Sequence, residues 1–122
     1  MTISSYLEDQ LLDTLRGAGE AYSASATYLK LHLGDPGEEG TANPATETTR
    51  KAVDFVAADG GEMVSDGTVE WTLVAATETY SHWSMWDAET AGNCLWYGAL
   101  SANASVTAGD TFEITSLTLT LE

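Results

Sequence analysis

Residues 81–100, SHWSMWDAETAGNCLWYGAL, indicate the fold of this chain more clearly than any other stretch. Aromatic residues alternate with small polar residues along two segments, 80–87 and 93–102. Such alternation is typical of β-strands, and the small residues at 88–92 between the segments favour a turn. This stretch therefore predicts a β-hairpin.

Both faces of the first strand of this hairpin carry large side chains. Trp83 and Met85 point to one face, and the opposite face receives Tyr80, His82, Ser84 and Trp86. We therefore expect a central strand or a strand at a subunit interface. The turn signal Ala108-Gly109-Asp110 and the strand that starts at Phe112 predict a second hairpin directly after the first.

Shorter alternating segments predict further strands, at residues 27–33, 49–57, 62–65, 68–74 and 112–121. The dipeptide Asp66-Gly67 is a hairpin signal, so we expect the strands on either side of it to pair. Alternation breaks between Ile114 and Leu117, which predicts a bulge or corner at Thr115-Ser116. About seven or eight short strands indicate a mainly β fold, an antiparallel β-sandwich of jelly-roll or immunoglobulin-like type.

One N-terminal α-helix precedes the strands in this interpretation. Ser5 and Glu8 form a capping-box pattern, and Gly17 or Gly19 ends the helix. Its apolar stripe consists of Ile3, Leu7, Leu11 and Leu15. The stripe packs either on the domain's own sheet or on a neighbouring subunit, because so short a helix is not stable alone. We expect a single domain over residues 1–122, with the helix at 1–17 and the sandwich at 27–122.

The chain is strongly acidic, with 19 Asp and Glu residues against four Lys and Arg residues and a formal net charge of −15. This charge repels phosphate groups, so nucleic acids and anionic membranes are excluded as partners. Acid-rich, lysine-poor surfaces suit concentrated salt, which favours a halophilic host. An acidic phage protein from a mesophile is the alternative.

Nothing in the sequence resembles a leader peptide or a membrane span. The start Met1-Thr-Ile-Ser-Ser lacks a basic segment, and no run approaches about 18 apolar residues. We expect synthesis in the host cytoplasm as a soluble protein. Cys94 is the single cysteine, so it forms no internal disulfide, and a small core residue is its simplest interpretation.

Sequence motifs for catalysis are scarce. The two histidines, His32 and His82, lie on predicted strands, and neither belongs to an HExxH motif. There is no GxSxG motif, phosphate-binding loop or dinucleotide fingerprint. A Ser-His-Asp site assembled in space is the only open route to an enzyme, so we expect a protein without catalytic activity.

Two groups of residues are candidates for binding. Asp35, Glu38 and Glu39 lie in a long loop at residues 34–47, which we expect to be exposed. They are candidate ligands for a structural cation, although their spacing does not match an EF-hand, and no other cofactor is indicated. The four tryptophans suit a core or a subunit interface, with Trp83, Trp86 and Trp96 as interface candidates; a sugar-stacking platform is the alternative.

Several segments, in order, resemble a family of small structural proteins from tailed viruses of bacteria and archaea. They are SYLEDQLLD at 5–13, YLKLH at 28–32, DPGE at 35–38, RKAVDF at 50–55, the hairpin at 81–100 and AGDT at 108–111. Ser84-Met85 stands where the family has Gly-Ile, and Ala91-Gly92-Asn93 where it has Gly-Gly-Asn. Both departures affect strand and turn packing only, and the resemblance brings no catalytic residues.

The resemblance implies a non-enzymatic protein on the exterior of a tailed-virus virion. Members are described as tail-fibre-like or head-decoration proteins, and we expect capsid decoration, cement or turret as the role. A tail-fibre or baseplate component is the alternative, and a carbohydrate-binding module for host glycans is another. The expected partners are copies of the same chain, as a homo-oligomer, and the major capsid or tail proteins. The expected contacts are the helix stripe, Trp83, Trp86 and Trp96.

The charge imbalance predicts that salt stabilises the fold. Counterions screen repulsion between surface carboxylates, with a screening length of about 10 Å at 0.1 M salt. We expect the melting temperature to rise steadily as NaCl is raised from millimolar to molar concentration, as measured by circular dichroism. A flat or falling melting temperature would contradict both this prediction and the halophilic interpretation.

Overall fold

The computed structural model describes residues 2–17 and 22–121. The fold is mainly β, with 42% of residues in strands and 9% in one helix, α1 (Ser5–Leu15). The strands are β1 (Thr2–Ile3), β2 (Tyr28–His32), β3 (Lys51–Ala52), β4 (Asp54–Phe55), β5 (Glu62–Asp66), β6 (Val69–Trp71), β7 (Glu78–Trp86), β8 (Cys94–Val106), β9 (Phe112–Ile114) and β10 (Thr118–Thr120). Every strand pairing is antiparallel, which confirms the expected fold class.

The largest sheet has five strands in the order β1-β8-β7-β2-β3, so β7 lies at its centre. The hairpin of β7 and β8 confirms the prediction from residues 81–100. Tyr80 pairs with Ala104 and His82 with Ala99, so residues 100–103 of β8 bulge opposite Ser81 alone. All four residues from Trp83 to Trp86 are buried. Both faces of β7 are therefore covered, as expected for a central strand.

The core lies on the face of this sheet that carries Trp83 and Met85. Their partners across β2, Leu31 and Leu29, are fully buried beside them. Two smaller sheets accompany the five-stranded sheet, β10-β5-β4 and β6-β9. The β9 ring of Phe112 packs 5.2 Å from Tyr80 and 5.8 Å from Trp71, measured between ring centroids. The arrangement is sandwich-like, with aromatic rings joining the sheets.

Two predicted hairpins are wrong. Asp66-Gly67 does not join a pair of strands, because β5 pairs with β4 and β10 while β6 pairs with β9. The turn at 107–110 does not pair β8 with β9 either. Its backbone bonds to Val74, with Val74 N–H donating to Asp110 O at 3.0 Å and Gly109 N–H to Val74 O at 2.8 Å. These bonds bring β9 beside β6, the strand that leads to Val74.

Two other predictions about strands have different outcomes. The expected corner at Thr115-Ser116 is confirmed, since β9 ends at Ile114 and β10 belongs to another sheet. The single strand expected over 49–57 is instead divided into β3 and β4, which pair with β2 and β5. Val53 lies between them and is buried. The chain therefore passes from one sheet to the next at this residue.

The helix begins one residue earlier than the capping-box pattern predicted, with Ser4 rather than Ser5 as its N-cap. Ser4 Oγ accepts a hydrogen bond from Leu7 N–H at 3.2 Å and donates one to Cys94 O at 2.6 Å. Ser4 N–H also donates to Leu95 O at 2.9 Å. Ile3 is part of β1 and pairs with Trp96, so it precedes the helix instead of belonging to it. Ser4 therefore connects a strand to a helix and is fully buried.

Most residues of the loop at 34–47 are exposed, as we expected, but four of them pack against the domain. Pro36, Gly40, Ala45 and Glu47 are buried. The loop returns along β2, where Leu33 N–H donates to Asn43 O at 2.8 Å and Ala45 N–H to Leu31 O at 3.1 Å. It thereby covers the second face of β7, and it protects the polar groups of that face from water.

Three side chains form a buried hydrogen-bond network under this loop. The ring of His32 bonds through Nδ1 to Ala42 O at 2.9 Å and through Nε2 to Ser84 Oγ at 2.7 Å. Because a carbonyl only accepts, Nδ1 carries the proton and Ser84 donates to Nε2. Ser84 Oγ accepts in turn from Trp86 Nε1–H at 2.8 Å. Burial lowers the pKa of His32, which favours this neutral ring.

Replacing Ser84 with alanine tests the importance of this network. The change leaves His32 Nε2 and Trp86 Nε1–H buried without their partner, and such groups cost about 1–3 kcal/mol each when unpaired. We expect Ser84→Ala to lower the free energy of unfolding by a comparable amount in chemical denaturation. Ser116→Ala, at an exposed position, is the control and should change it little. Equal effects of the two changes would contradict the network's role.

The close approach of the loop to the sheet at Gly40 predicts a second substitution effect. A Cβ at Gly40 would lie 2.7 Å from Cys94 Sγ and 2.9 Å from a ring carbon of Trp86, and φ is +69°. Gly37 has a similar φ of +74° but open space around it. We expect Gly37→Ala to cost about 1–2 kcal/mol of stability from backbone strain. Gly40→Ala should cost about 1–3 kcal/mol more, from overpacking.

The same denaturation experiment compares the two glycine variants. Their difference isolates the packing of the loop on Trp86 and Cys94, since the backbone strain is shared. Identical losses of stability would show that the loop does not press against the sheet at Gly40.

Candidate interaction surface

The three acidic residues predicted as cation ligands have separate roles in the structure. Asp35 Oδ1 accepts a hydrogen bond from Gly37 N–H at 2.9 Å and shapes its own loop. Glu38 accepts from the hydroxyl and the N–H of Ser5 and, at 3.1 Å, from Tyr97 OH. These hydrogen bonds favour the ionised carboxylate, and the bond from the Ser5 hydroxyl has the largest effect. They hold the pKa of Glu38 below its usual range. Glu39 is exposed.

Glu38 therefore fastens the loop to the first turn of α1, where a carboxylate also favours the helix dipole. In residues 2–17 and 22–121, no three His, Cys, Asp or Glu side chains are grouped so that they could hold a metal ion. A structural cation bound through Asp35, Glu38 or Glu39 stays a prediction.

The side chains best suited to a catalytic site, the two histidines and Cys94, are engaged in structural contacts. His32 belongs to the buried network, and His82 Nδ1 lies 2.7 Å from the hydroxyl of its neighbour Ser81. Burial raises the pKa of the Cys94 thiol to about 11, so the thiolate is scarce at neutral pH. Within residues 2–17 and 22–121, the geometry presents neither an activated thiol nor a histidine held by a carboxylate.

The four tryptophans lie in the interior. Trp83 is 1% exposed, Trp71 is 0% exposed, and Trp86 and Trp96 are 7% exposed each. The guanidinium of Arg50 lies 3.9 Å above the ring of Trp86 and closes that face. A sugar-stacking platform needs at least two exposed rings, so that alternative loses its structural basis. The tryptophans predicted as interface residues instead pack within the domain.

The predicted helix stripe is divided between the domain and the solvent. Leu7 is buried, and Ile3 and Leu11 are half-buried against the core. Leu15, by contrast, is 82% exposed, and Leu12, the neighbour of Leu11 on the helix, is 64% exposed. The helix therefore packs on its own sheet through one side. The other side presents leucines to the solvent.

Sequence analysis missed Leu121 as an exposed residue near this helix. Leu117, Leu119 and Leu121 alternate along the predicted last strand, so the sequence places all three on the same face. Leu119 is buried, but Leu121 lies past the end of β10 and is 51% exposed. Leu121 lines one groove together with Ile3, Leu11 and Leu12. Only the position of the last strand relative to the helix reveals this grouping.

The carboxylates near these surfaces are rarely paired with cations. Among the described residues, one ion pair is present, between Arg16 and Asp13 at 3.7 Å. Arg50 donates instead to two backbone carbonyls, Ala88 O at 2.8 Å and Ala91 O at 2.7 Å, and so holds the β7–β8 turn. The described surface thus carries a large excess of uncompensated negative charge.

The single helix of the described residues is neither long nor apolar enough to cross a membrane. None of the curated proteins matches the chain. A family model described as podophage GP4 fiber I protein gp80 matches residues 2–122, which is nearly the whole length. This match confirms the resemblance to tailed-virus structural proteins. The chain therefore belongs to this family of phage fibre proteins, and its location is the virion.

Proposed function

We propose that this protein is a non-enzymatic structural subunit of a fibre-type appendage on the phage particle. The observation that carries the proposal is the family match over residues 2–122. The structure supports it, because both histidines and Cys94 are held in local contacts rather than arranged around a substrate. The protein would act through its surfaces, by binding other virion proteins.

Within the virion, we place the protein on the tail rather than the head. The resemblance drawn from the sequence led us to expect capsid decoration, cement or turret first. The family description names a fibre, and this favours the alternative of a tail-fibre or baseplate component. Capsid decoration is the competing proposal, since small β-domains also serve on heads.

We further propose that copies of the chain associate through β8. Residues 90–109 contain no charged side chain, although the whole chain has a net charge of −15. At the outer edge of β8, β1 pairs only with Trp96 and Tyr97. The residues of β8 that follow include the exposed positions Ala99, Ser101 and Ala102. An edge strand without charges is suited to contact with another chain. Among the residues that the structure describes, Glu113 is the one carboxylate that lines the same recess as Ala99, Ser101 and Ala102, so repulsion between two acidic copies is limited there.

Gold-labelled antibody against this protein, applied to purified virions and imaged by electron microscopy, tests the location. We expect label confined to the tail, where a fibre or baseplate component lies. Label spread over the head would contradict the tail location and favour capsid decoration. An irrelevant antibody of the same class serves as the control for non-specific binding.

A further inference from the structure

Leu12 of α1 and Leu121, just past the last strand, contribute to one apolar surface. A groove of about 560 Å³ is lined by Ile3, Leu11, Leu12 and Leu121 together with the acids Glu8 and Asp9. Leu121 also lines a second recess of about 200 Å³, whose other walls are Ala58, Gly61, Glu62, Met63, Trp96 and Leu119. We call the two together the leucine groove.

The leucine groove exposes more apolar surface than the fold requires. Leu12 is 64% exposed and Leu121 is 51% exposed, although both are large side chains that gain free energy on burial. Burying such a side chain removes apolar surface from water, which is the main favourable contribution to protein association. Grouped exposed apolar side chains with a polar rim mark interaction sites more often than isolated ones do.

The rim of the leucine groove is acidic. Glu8 and Asp9 line it on the helix, and Glu62 lines it on β5. The nearest cation on the helix, Arg16, is paired with Asp13. A partner that covers the leucines therefore places its own flanking residues next to uncompensated carboxylates. Lysine and arginine are the residues that complement such a rim.

A second copy of this chain does not fit the leucine groove. The chain has four Lys and Arg residues in total. Of these, Arg16 pairs with Asp13, Arg50 is stacked on Trp86 and bonded to the β7–β8 turn, and Lys30 and Lys51 are half-buried on β2 and β3. Two leucine grooves in contact would bring Glu8, Asp9 and Glu62 of each copy together. Like charges at a contact repel each other, so two leucine grooves do not pack together, and the few cations of a second copy do not supply the charges that the rim needs.

We propose that the leucine groove is the docking site for a different virion protein, which inserts large apolar side chains flanked by lysine or arginine. This inference deepens the proposed function, because it names the surface through which the subunit joins the particle. The apolar side chains of the partner would cover Leu12 and Leu121, and its cations would lie against Glu8 and Asp9. Copies of the chain would meet elsewhere, at β8.

A photo-crosslinking amino acid at position 12 tests the proposal directly. The variant is produced during infection in place of the normal protein, and purified particles are irradiated and analysed by mass spectrometry. We expect a crosslink to another virion protein, within a segment that carries large apolar residues and at least one lysine or arginine. A crosslink to a second copy, a crosslink to a segment without cations, or no crosslink would overturn the proposal.

Incorporation of charged variants into particles gives an independent readout. We expect Leu12→Asp and Leu121→Asp each to lower the amount of protein per particle about tenfold or more, as for the loss of a binding hot spot. Leu73→Asp is the matched control, since Leu73 is 77% exposed but does not line the leucine groove. Normal incorporation of both groove variants would overturn the proposal.

These readouts separate the inference from the proposed function. If the unaltered protein is absent from purified particles in an immunoblot, the proposed function fails whatever the groove does. If the unaltered protein is present but position 12 gives none of the expected crosslinks, only the docking site is wrong.

Discussion

The burial of β7 on both faces is the constraint on which the rest of the structure depends. On one face, Trp83 and Met85 belong to the core beneath the smaller sheets. On the other, Ser84 and Trp86 are covered by the loop at 34–47, and Ser84 bonds both to His32 and to Trp86. The loop reaches this position because Gly40 lets its backbone approach the sheet. Glu38 of the same loop then bonds to the first turn of α1, whose start is also held to β8 by Ser4.

Carboxylates act in this fold mainly as hydrogen-bond acceptors rather than as members of ion pairs. Glu78 accepts from the backbone N–H groups of Thr46 and Glu47 at 3.1 and 3.2 Å. Glu47, itself buried, accepts from Thr49 and Ala75, and Asp87 from Asn93. Because the chain has 19 acids and four cations, most of its carboxylates have no cation with which to pair. Backbone N–H groups in loops need acceptors, and these side chains supply them.

The sequence predicts local structure well here and long-range pairing poorly. The hairpin at 81–100, the helix and the corner at Thr115-Ser116 follow from patterns within a few residues. Asp66-Gly67 and the turn at 107–110 mark changes of direction, but local signals do not say which strand the chain joins next. For the candidate surface, the stripe identifies Leu7 and Leu11, whereas the exposure of Leu121 depends on where β10 ends beside α1. The tryptophan pattern fits both a core and a subunit interface. In the structure all four tryptophans are buried within the single chain, which assigns them to the core.

Apolar side chains, rather than ion pairs, hold the interior together, and they also form the contacts that we propose within the particle. Copies of the chain would meet at the uncharged β8, and a different protein would bind the leucine groove. An electron cryomicroscopy reconstruction of the phage tail tests this claim most directly. We predict that the domain fits density with α1 and Leu121 facing another polypeptide and with β8 facing a neighbouring copy. Density in which α1 and Leu121 face solvent would contradict the account.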